Sequence, residues 1–289
     1  MRRNLPLAAA LVMLGCSANH PVIEDVDYDT ATGSRTSMDV VVPNSASGAG
    51  AAVFLAHGGG WESGDKGDMR YLAQRLADLG YVAASVGYRL APEGVHPKSS
   101  QDISCAWDHF IANAQVYGFD PNRVAVIGYS AGGHLVSLHA TAQSLDAIAS
   151  DCATPPSGIR PAAVVSSAGT QNLLDYSDDA VGFFLGGGKE EARAAWLEAS
   201  PIQHVDPSDP PFLFVHGEGD LLVPLAQATK MQAALDEVGV DNRLMVIPCG
   251  GHVLNPSPGG GDPQAGSPLQ SPEGFMVLVD FLSDTIGRP

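Results

Sequence analysis

Residues 123–133, RVAVIGYSAGG, run from a short apolar segment into a serine that is framed by glycines. The first six residues have the composition of a buried strand, and residues 131–145 carry apolar positions at helical spacing. The pattern G-x-S-x-G between a strand and a helix predicts a sharp turn whose strained serine projects its hydroxyl into a cleft. Side chains at Gly128 and Gly132 would collide with neighbouring backbone in such a turn. Ser130 is therefore the predicted nucleophile, placed at a helix N-terminus that favours negative charge.

Strand-like and helix-like segments alternate on both sides of this turn. The other predicted strands are residues 38–42, 51–56, 81–88, 161–168, 211–215 and 243–247, and the other predicted helices are residues 68–79, 99–115, 224–238 and 272–286. Several strands are nearly continuous apolar runs, as expected for strands that are buried on both faces of a parallel sheet. The alternation predicts the α/β class, with a doubly wound, mostly parallel sheet and helices on both faces.

Three further segments complete the predicted organisation. Residues 22–29 are expected to add an antiparallel edge strand. Residues 169–210, with FFLGGG and a short helical piece near residues 190–197, are interpreted as a small excursion over the active site. The Gly/Pro/Ser-rich segment 255–272 is a long loop before the last helix; such loops are often functional, and a tolerated surface insertion is the alternative.

A second glycine-rich segment, HGGGW at 57–61, follows the predicted strand AAVFLA. Its glycines let backbone N–H groups approach a ligand closely. In this context we expect the N–H groups of Gly58, Gly59 and Ala131 to form an oxyanion hole around a tetrahedral intermediate.

A serine hydroxyl needs a base, and the base needs an orienting acid. Asp220 follows the predicted strand FLFVHG, and His252 is the only histidine after it. The chain order Ser, acid, His is the order that this kind of site requires. We therefore predict His252 as general base and Asp220 as the acid that fixes its tautomer, with Asp175 as the competing acid.

Four apolar residues are predicted to line the acyl or alcohol pocket, or else to belong to the core: Trp61, Tyr129, Phe183 and Val253. His134 and His139 are interpreted as packing or surface residues, and His216 as orienting the Asp220 turn. Asp65 and Lys66 are expected to form a salt bridge within a loop.

Six motifs resemble those of bacterial esterases related to feruloyl and acetyl-xylan esterases. They are HGGGW at 57–61, GDK at 64–66, YRLAP at 88–92, GYSAGGH at 128–134, HGEGDLLVP at 216–224 and GGH at 250–252. YRLAP is also similar to hormone-sensitive-lipase-like esterases, but Tyr129 stands where those enzymes carry aspartate. The resemblance implies an α/β-hydrolase fold without a large cap domain. It also implies hydrolysis of short-chain carboxylic esters through an acyl-enzyme, including acetyl or feruloyl esters on carbohydrate.

Two other functions stay open at this point. The same chemistry would serve a formamidase or another amide hydrolase. A non-catalytic, lipid-anchored binding protein would need no triad, and its expected mark, a lost triad member, is absent from the sequence. The proposed mechanism requires no cofactor and no metal, and its partner is a small-molecule or carbohydrate-linked ester.

The N-terminus predicts export. Arg2 and Arg3 precede a short apolar run, and residues 13–16 (MLGC) resemble a bacterial lipobox in which Cys16 is lipid-modified. Residues 1–16 are therefore the predicted signal segment and residues 17–289 a single domain. Ser17 beside the cysteine predicts lipid anchoring at the outer membrane, in the periplasm or at the cell surface. An ordinary cleaved signal is the alternative.

The net charge limits the possible binding partners, and the cysteine count limits the possible disulfides. The net charge of −17 argues against binding nucleic acid or anionic membrane surfaces, so membrane association is expected through the lipid alone. Cys105, Cys152 and Cys249 allow one disulfide with one thiol left over, and the sequence leaves the pairing open. It also leaves the oligomeric state open.

Overall fold

The strands form one mixed sheet in the computed structural model, which describes residues 20–29, 35–44, 50–253 and 266–289. They are β1 (Val22–Asp27), β2 (Ser37–Val41), β3 (Gly50–Ala56), β4 (Val82–Val86), β5 (Phe119–Tyr129), β6 (Ala163–Ser167), β7 (Phe212–Gly217) and β8 (Asn242–Ile247). Their spatial order is β1-β2-β4-β3-β5-β6-β7-β8. Strand β2 pairs antiparallel with β1 and β4, and the remaining pairs are parallel. The predicted sheet and its antiparallel edge strand are confirmed.

Each face of the sheet is covered by its own set of helices. The helices are α1 (Arg70–Asp78), α2 (Lys98–Ala112), α3 (Ala114–Tyr117), α4 (Ala131–Thr141), α5 (Asp178–Leu185), α6 (Arg193–Glu198), α7 (Ala226–Val238) and α8 (Pro272–Thr285). Helices α2, α4 and α7 pack on one face, and α1 and α8 pack on the other. Short 3-10 turns lie between several of these elements.

The alternation of side chains along β3 explains its continuous apolar sequence. Phe54 belongs to the core that contains Trp107 of α2, whereas Val53 and Leu55 belong to the core that contains Leu76 of α1. Because successive side chains point to opposite faces, a strand with two covered faces needs apolar residues at every position.

The segment between β6 and β7 differs from the sequence prediction. Part of the expected irregular stretch, FFL at 183–185, is helical and ends α5. Phe184 of this helix is fully buried and stacks on Trp61, with ring centroids 4.6 Å apart. The segment therefore packs on the body of the fold, and the described residues contain no large cap domain.

One disulfide joins Cys105 on α2 to Cys152 in the segment between α4 and β6, with Cα atoms 5.9 Å apart. Cys249 is free and exposed. Residues 1–16, Cys16 included, and most of the loop predicted at 255–272 lie outside the described residues. The division into residues 1–16 and 17–289 stays a prediction. None of the helices in the described ranges is long and apolar enough to cross a membrane.

Candidate active site

Ser130 occupies a sharp turn between the central strand β5 and helix α4. Its backbone has φ 53° and ψ −119°, a left-handed conformation that non-glycine residues rarely adopt. Its N–H donates to Ser167 O on the neighbouring strand (2.8 Å), and its carbonyl oxygen accepts from His134 N (3.0 Å). Such strain persists only where the surroundings enforce it, and it commonly marks functional positions.

The close approach of backbone atoms around Gly132 and Gly128 explains why this turn requires glycine. A Cβ atom there would lie 2.2 Å from Ala56 O and 2.4 Å from His57 O. A Cβ at Gly128 would lie 2.2 Å from Gly132 O. The two glycines therefore let helix α4 start against the end of β3, as the sequence pattern predicts.

His252 and Asp220 reach Ser130 from the far strands of the sheet. His252 follows β8, and its Nε2 lies 2.9 Å from Ser130 Oγ. Its Nδ1 lies 2.7 Å from Asp220 Oδ2 on the turn after β7. Because a carboxylate accepts hydrogen bonds, Nδ1 carries the proton in the neutral ring and Nε2 is free to accept the Ser130 proton.

The surroundings of Asp220 keep its carboxylate ionised. Burial acts to raise the pKa of Asp220, but hydrogen bonds from His216, from His252 and from Val223 N–H outweigh it and hold this pKa well below its usual range. Oδ1 accepts from the N–H groups of Leu222 (3.0 Å) and Val223 (2.8 Å). His216 Nε2 lies 2.7 Å from Val223 O and 3.5 Å from Asp220 Oδ2, so this nitrogen faces two oxygen acceptors. His216 thus holds the turn that carries the acid.

The glycine-rich loop after β3 lies against the serine turn. A Cβ at Gly58 would come within 3.2 Å of Ser130 Cβ and 2.9 Å of Tyr129 Cδ1. Gly59 has φ 114°, and its carbonyl oxygen accepts from the N–H groups of Glu62 and Ser63. Among the backbone hydrogen bonds outside helices and strands in the described chain, none uses the N–H of Gly58, Gly59 or Ala131 as donor. These groups are available to a ligand beside Ser130.

Ser130 and His252 open into a cavity of about 500 Å³. Its remaining lining consists of Gly58, Gly59, Gly60, Ser63, Gly64, Asp65, Asp68, Tyr129, Leu222 and Val253. Two predicted pocket residues, Tyr129 and Val253, thus face this cavity. A volume of this size is typical of sites for small organic ligands.

Trp61 and Phe183 do not line this cavity. Trp61 is buried, its Nε1–H donates to His134 Nδ1 (3.1 Å), and its ring stacks on Phe184. Phe183 faces a separate surface depression beside Asp178. The large apolar side chain at 61 is therefore a core residue, because its indole finds a buried partner on α4.

The competing acid lies elsewhere. Asp175 Oδ2 accepts from Lys230 Nζ (2.7 Å) and Gln227 Nε2 (3.0 Å), and no described contact joins it to His252. His134 and His139 are buried packing residues, and burial lowers the pKa of each to about 4.

The structure adds cavity residues that sequence reasoning missed. Asp65 and Asp68 line it, although Asp65 was expected to pair with Lys66. Lys66 turns away instead and contacts Asp25 (2.7 Å) and Asp39 (3.4 Å). The available signal in the sequence was the position of GDK at 64–66, which begins four residues after Gly60. In the described part of the chain, no cluster of histidine, cysteine and acidic side chains has the arrangement of a metal site.

Comparison with known proteins places this geometry in context. Residues 38–235 match the BD-FAE family. The chain is 31% identical over 196 residues to a probable carboxylic ester hydrolase, LipM, of Mycobacterium tuberculosis, covering 63% of this chain and 44% of that protein. It is 29% identical to esterase LipQ of the same organism, covering 73% and 48%. The chain thus spans about half the length of these curated relatives.

Solved structures share the fold. A truncated carbohydrate esterase from gut microbiota superposes with a TM-score of 0.74 at 21% identity, covering 92% of this chain and 96% of that one. The predicted α/β-hydrolase fold and the predicted resemblance to esterases are confirmed. With the family match spanning more than half of its length, this chain belongs to the BD-FAE family.

Proposed function

We propose that this protein is a serine esterase that hydrolyses short-chain carboxylic esters through an acyl-enzyme. The observation that carries the proposal is the continuous line of contacts from Ser130 Oγ through His252 to Asp220, at 2.9 Å and 2.7 Å. The family and the esterase names of the relatives support it.

In the first half-reaction Ser130 Oγ attacks the ester carbonyl carbon while His252 Nε2 accepts the hydroxyl proton. Asp220 stabilises the imidazolium that forms. The carbonyl oxygen becomes an oxyanion, and we assign its binding to the N–H groups of Gly58, Gly59 and Ala131. Collapse of this intermediate breaks the ester C–O bond, and His252 returns its proton to the leaving alcohol.

In the second half-reaction a water molecule attacks the acyl-enzyme. His252 takes one proton from the water and delivers it to Ser130 Oγ when the acyl bond breaks. The products are the free serine and a carboxylic acid, which is ionised at neutral pH.

The lining of the cavity favours neutral substrates. The lining includes the aliphatic side chains of Leu222 and Val253, which suit a small acyl group. The lining also includes Asp65 and Asp68, neither of which forms an ion pair within the described residues, since Lys66 and Arg70 pair with other carboxylates. Their oxygens accept hydrogen bonds from backbone N–H groups of their own turn, and no cation neutralises their charge in the described residues. Carboxylates in the cavity lining repel anionic esters and assist departure of the acid product. Acetyl or feruloyl groups on the neutral hydroxyls of carbohydrate are compatible with this lining.

The test is steady-state hydrolysis of p-nitrophenyl acetate, butyrate and octanoate by the wild type and by Ser130→Ala. We expect the wild type to prefer acetate and the variant to lose at least about 10³-fold in kcat. Acetylated and feruloylated xylan are the next substrates. If the wild type turns over none of these esters and reacts with no fluorophosphonate probe, the proposal fails. Turnover of N-formylkynurenine alone would favour amide chemistry.

We further propose that the protein is exported and anchored by lipid at Cys16, at the outer membrane. The motif MLGC at 13–16 after a basic and apolar leader supports this proposal. Metabolic labelling with a radioactive fatty acid should mark the wild type and leave Cys16→Ser unlabelled. Equal absence of label in both would contradict it and favour an ordinary cleaved signal.

A further inference from the structure

Tyr129 contacts the two loops that meet at the nucleophile. Its hydroxyl donates to His252 O at 2.8 Å, and its ring lies 5.2 Å from the His252 ring at an angle of 32°. On its other side, Tyr129 Cδ1 lies so close to Gly58 that a Cβ there would approach it to 2.9 Å. The side chain thus contacts both the glycine-rich loop after β3 and the segment that carries His252.

Within the described residues, the backbone hydrogen bonds near residue 252 lie in the turn that precedes it. The turn before it is held by Gly219 N–H to Gly250 O (2.7 Å), by Gly250 N–H to Ile247 O (3.1 Å) and by Cys249 N–H to the Glu218 carboxylate (3.1 Å). The Tyr129 hydroxyl donates a hydrogen bond to the His252 carbonyl oxygen. Within the described residues, no backbone N–H outside helices and strands donates to the same oxygen.

The hydroxyl is well suited to this contact. Tyr129 is 6% exposed, and burial raises the pKa of its hydroxyl above the usual range, with the charge of Asp220 acting in the same direction. The group therefore remains protonated and donates throughout the pH range in which an esterase works.

We propose that Tyr129 is a positioning residue whose hydroxyl holds the His252 backbone so that Nε2 stays in line with Ser130 Oγ. This role rests on the proposed esterase function and extends it beyond the triad. Tyr129 acts through His252 and takes no part in proton transfer.

The role has a distinct kinetic consequence. A histidine displaced by a fraction of an ångström still leaves the cavity open to substrate but transfers protons more slowly, and a misplacement of ~1 Å costs on the order of 10²-fold. Loss of the hydroxyl should therefore lower kcat and leave KM nearly unchanged.

Tyr129→Phe removes only the oxygen, and Tyr28→Phe is its matched control. Tyr28 is also buried (3% exposed), and its hydroxyl also donates to a backbone carbonyl, Gly87 O at 2.7 Å, outside the cavity lining. For Tyr129→Phe we expect kcat for p-nitrophenyl acetate to fall by about 5- to 50-fold, with KM changed less than about threefold. For Tyr28→Phe we expect a similar loss in Tm and an unchanged kcat.

Two further measurements distinguish a role of Tyr129 in positioning His252 from a general loss of stability. Fluorophosphonate titration counts competent sites, so that kcat is expressed per active site in each variant. A downfield proton resonance from the His252 Nδ1–H···Asp220 hydrogen bond should be present in the wild type and in Tyr28→Phe but broadened in Tyr129→Phe.

An unchanged kcat per site in Tyr129→Phe, or an equal loss in both variants, would overturn the proposal. If Tyr129→Phe does not accumulate as folded protein, Tyr129→Met, which also lacks the hydroxyl, carries the same test. A wild type without esterase activity would instead count against the proposed function, so the two failures are distinguishable.

Discussion

At the scale of single residues, the two oxygen atoms of Asp220 have separate partners. Oδ1 accepts from the backbone of its own turn, and Oδ2 faces His252 Nδ1. One atom thus fixes the position of the carboxylate, and the other fixes the tautomer of His252.

Asp220→Asn should separate these two tasks. The amide oxygen can keep the turn contacts, but the amide nitrogen then faces His252 Nδ1 and favours the tautomer with a proton on Nε2, which cannot accept the Ser130 proton. We expect kcat to fall by about 10³- to 10⁴-fold. Asp175→Asn is the matched control, since Asp175 pairs with Lys230 instead, and it should change kcat less than about twofold. Comparable losses in both variants would remove the distinction between the two acids.

The cavity carboxylates make a second residue-scale prediction. The double variant Asp65→Asn/Asp68→Asn should raise kcat/KM for 4-acetoxybenzoate by several-fold relative to neutral phenyl acetate. Because exposed charges are screened beyond a Debye length of about 8 Å at 0.15 M salt, the wild-type preference should shrink as salt is added. Assays of both esters at low and high ionic strength measure it. A preference that depends on neither charge nor salt would show that these carboxylates do not select the substrate.

The positions of the three triad residues were predictable from the sequence, whereas the orientation of Trp61 was not. Ser130, Asp220 and His252 sit in patterned turns at strand ends, so that local sequence predicts their adjacency. For Trp61 the sequence left two places open, the cavity and the core, and the structure places it in the core. Whether such a side chain turns inward depends on partners distant in sequence, here His134 and Phe184.

At the scale of elements, the disulfide links helix α2 to the connection between α4 and β6. The two cysteines are 47 residues apart. Sequence alone left three pairings open, because pairing depends on the distance between segments that only the fold brings together.

Removal of this link should destabilise the protein. In the chain-entropy account, closing a loop of this length stabilises the folded state by about 4 kcal/mol. We expect the double variant Cys105→Ala/Cys152→Ala to lower the free energy of unfolding by about 2–4 kcal/mol, measured by urea denaturation. Cys249→Ser, which removes the exposed free thiol, should leave the urea midpoint in place. A midpoint unchanged in the double variant would show that the disulfide adds no stability.

The strands and long helices were predicted within a few residues, because strands with two covered faces and amphipathic helices leave strong periodic patterns. Helix α5 was missed. Its sequence, DDAVGFFL, contains a glycine and runs into GGG, so propensity favours a loop, and the burial of Phe184 against Trp61 overrides it.

At the scale of the whole molecule, buried histidines tie stability to pH. Burial lowers the pKa of His96, His134 and His139 to about 4, whereas an unfolded histidine titrates near 6.5. Between these values the unfolded chain binds more protons, so stability falls as the pH drops from about 6.5 to about 4. Asp209 opposes this, because burial raises its pKa to about 6 and the folded chain then takes up a proton in the same window.

His139→Gln should reduce this dependence. Each histidine contributes up to about 1.4 kcal/mol per pH unit to the slope, and the variant lacks one of them. Urea unfolding at intervals between pH 7.5 and pH 4.5 measures the slope for both proteins. Parallel slopes would mean that His139 does not remain neutral in the folded state.

The order of strands has a final consequence for how activity is lost. Ser130 follows β5 near the middle of the sheet, whereas His252 follows β8 at its end, and β8 is only partly buried. Amide hydrogen exchange should therefore be slow along β5 and faster along β8, since less protected edges open locally at lower free-energy cost. A transient opening of β8 would move His252 away from Ser130 while the centre of the sheet stays folded. We expect turnover to vanish at a lower urea concentration than the concentration at which the fluorescence of the buried tryptophans changes. Loss of activity would then be governed by local opening at the edge of the sheet.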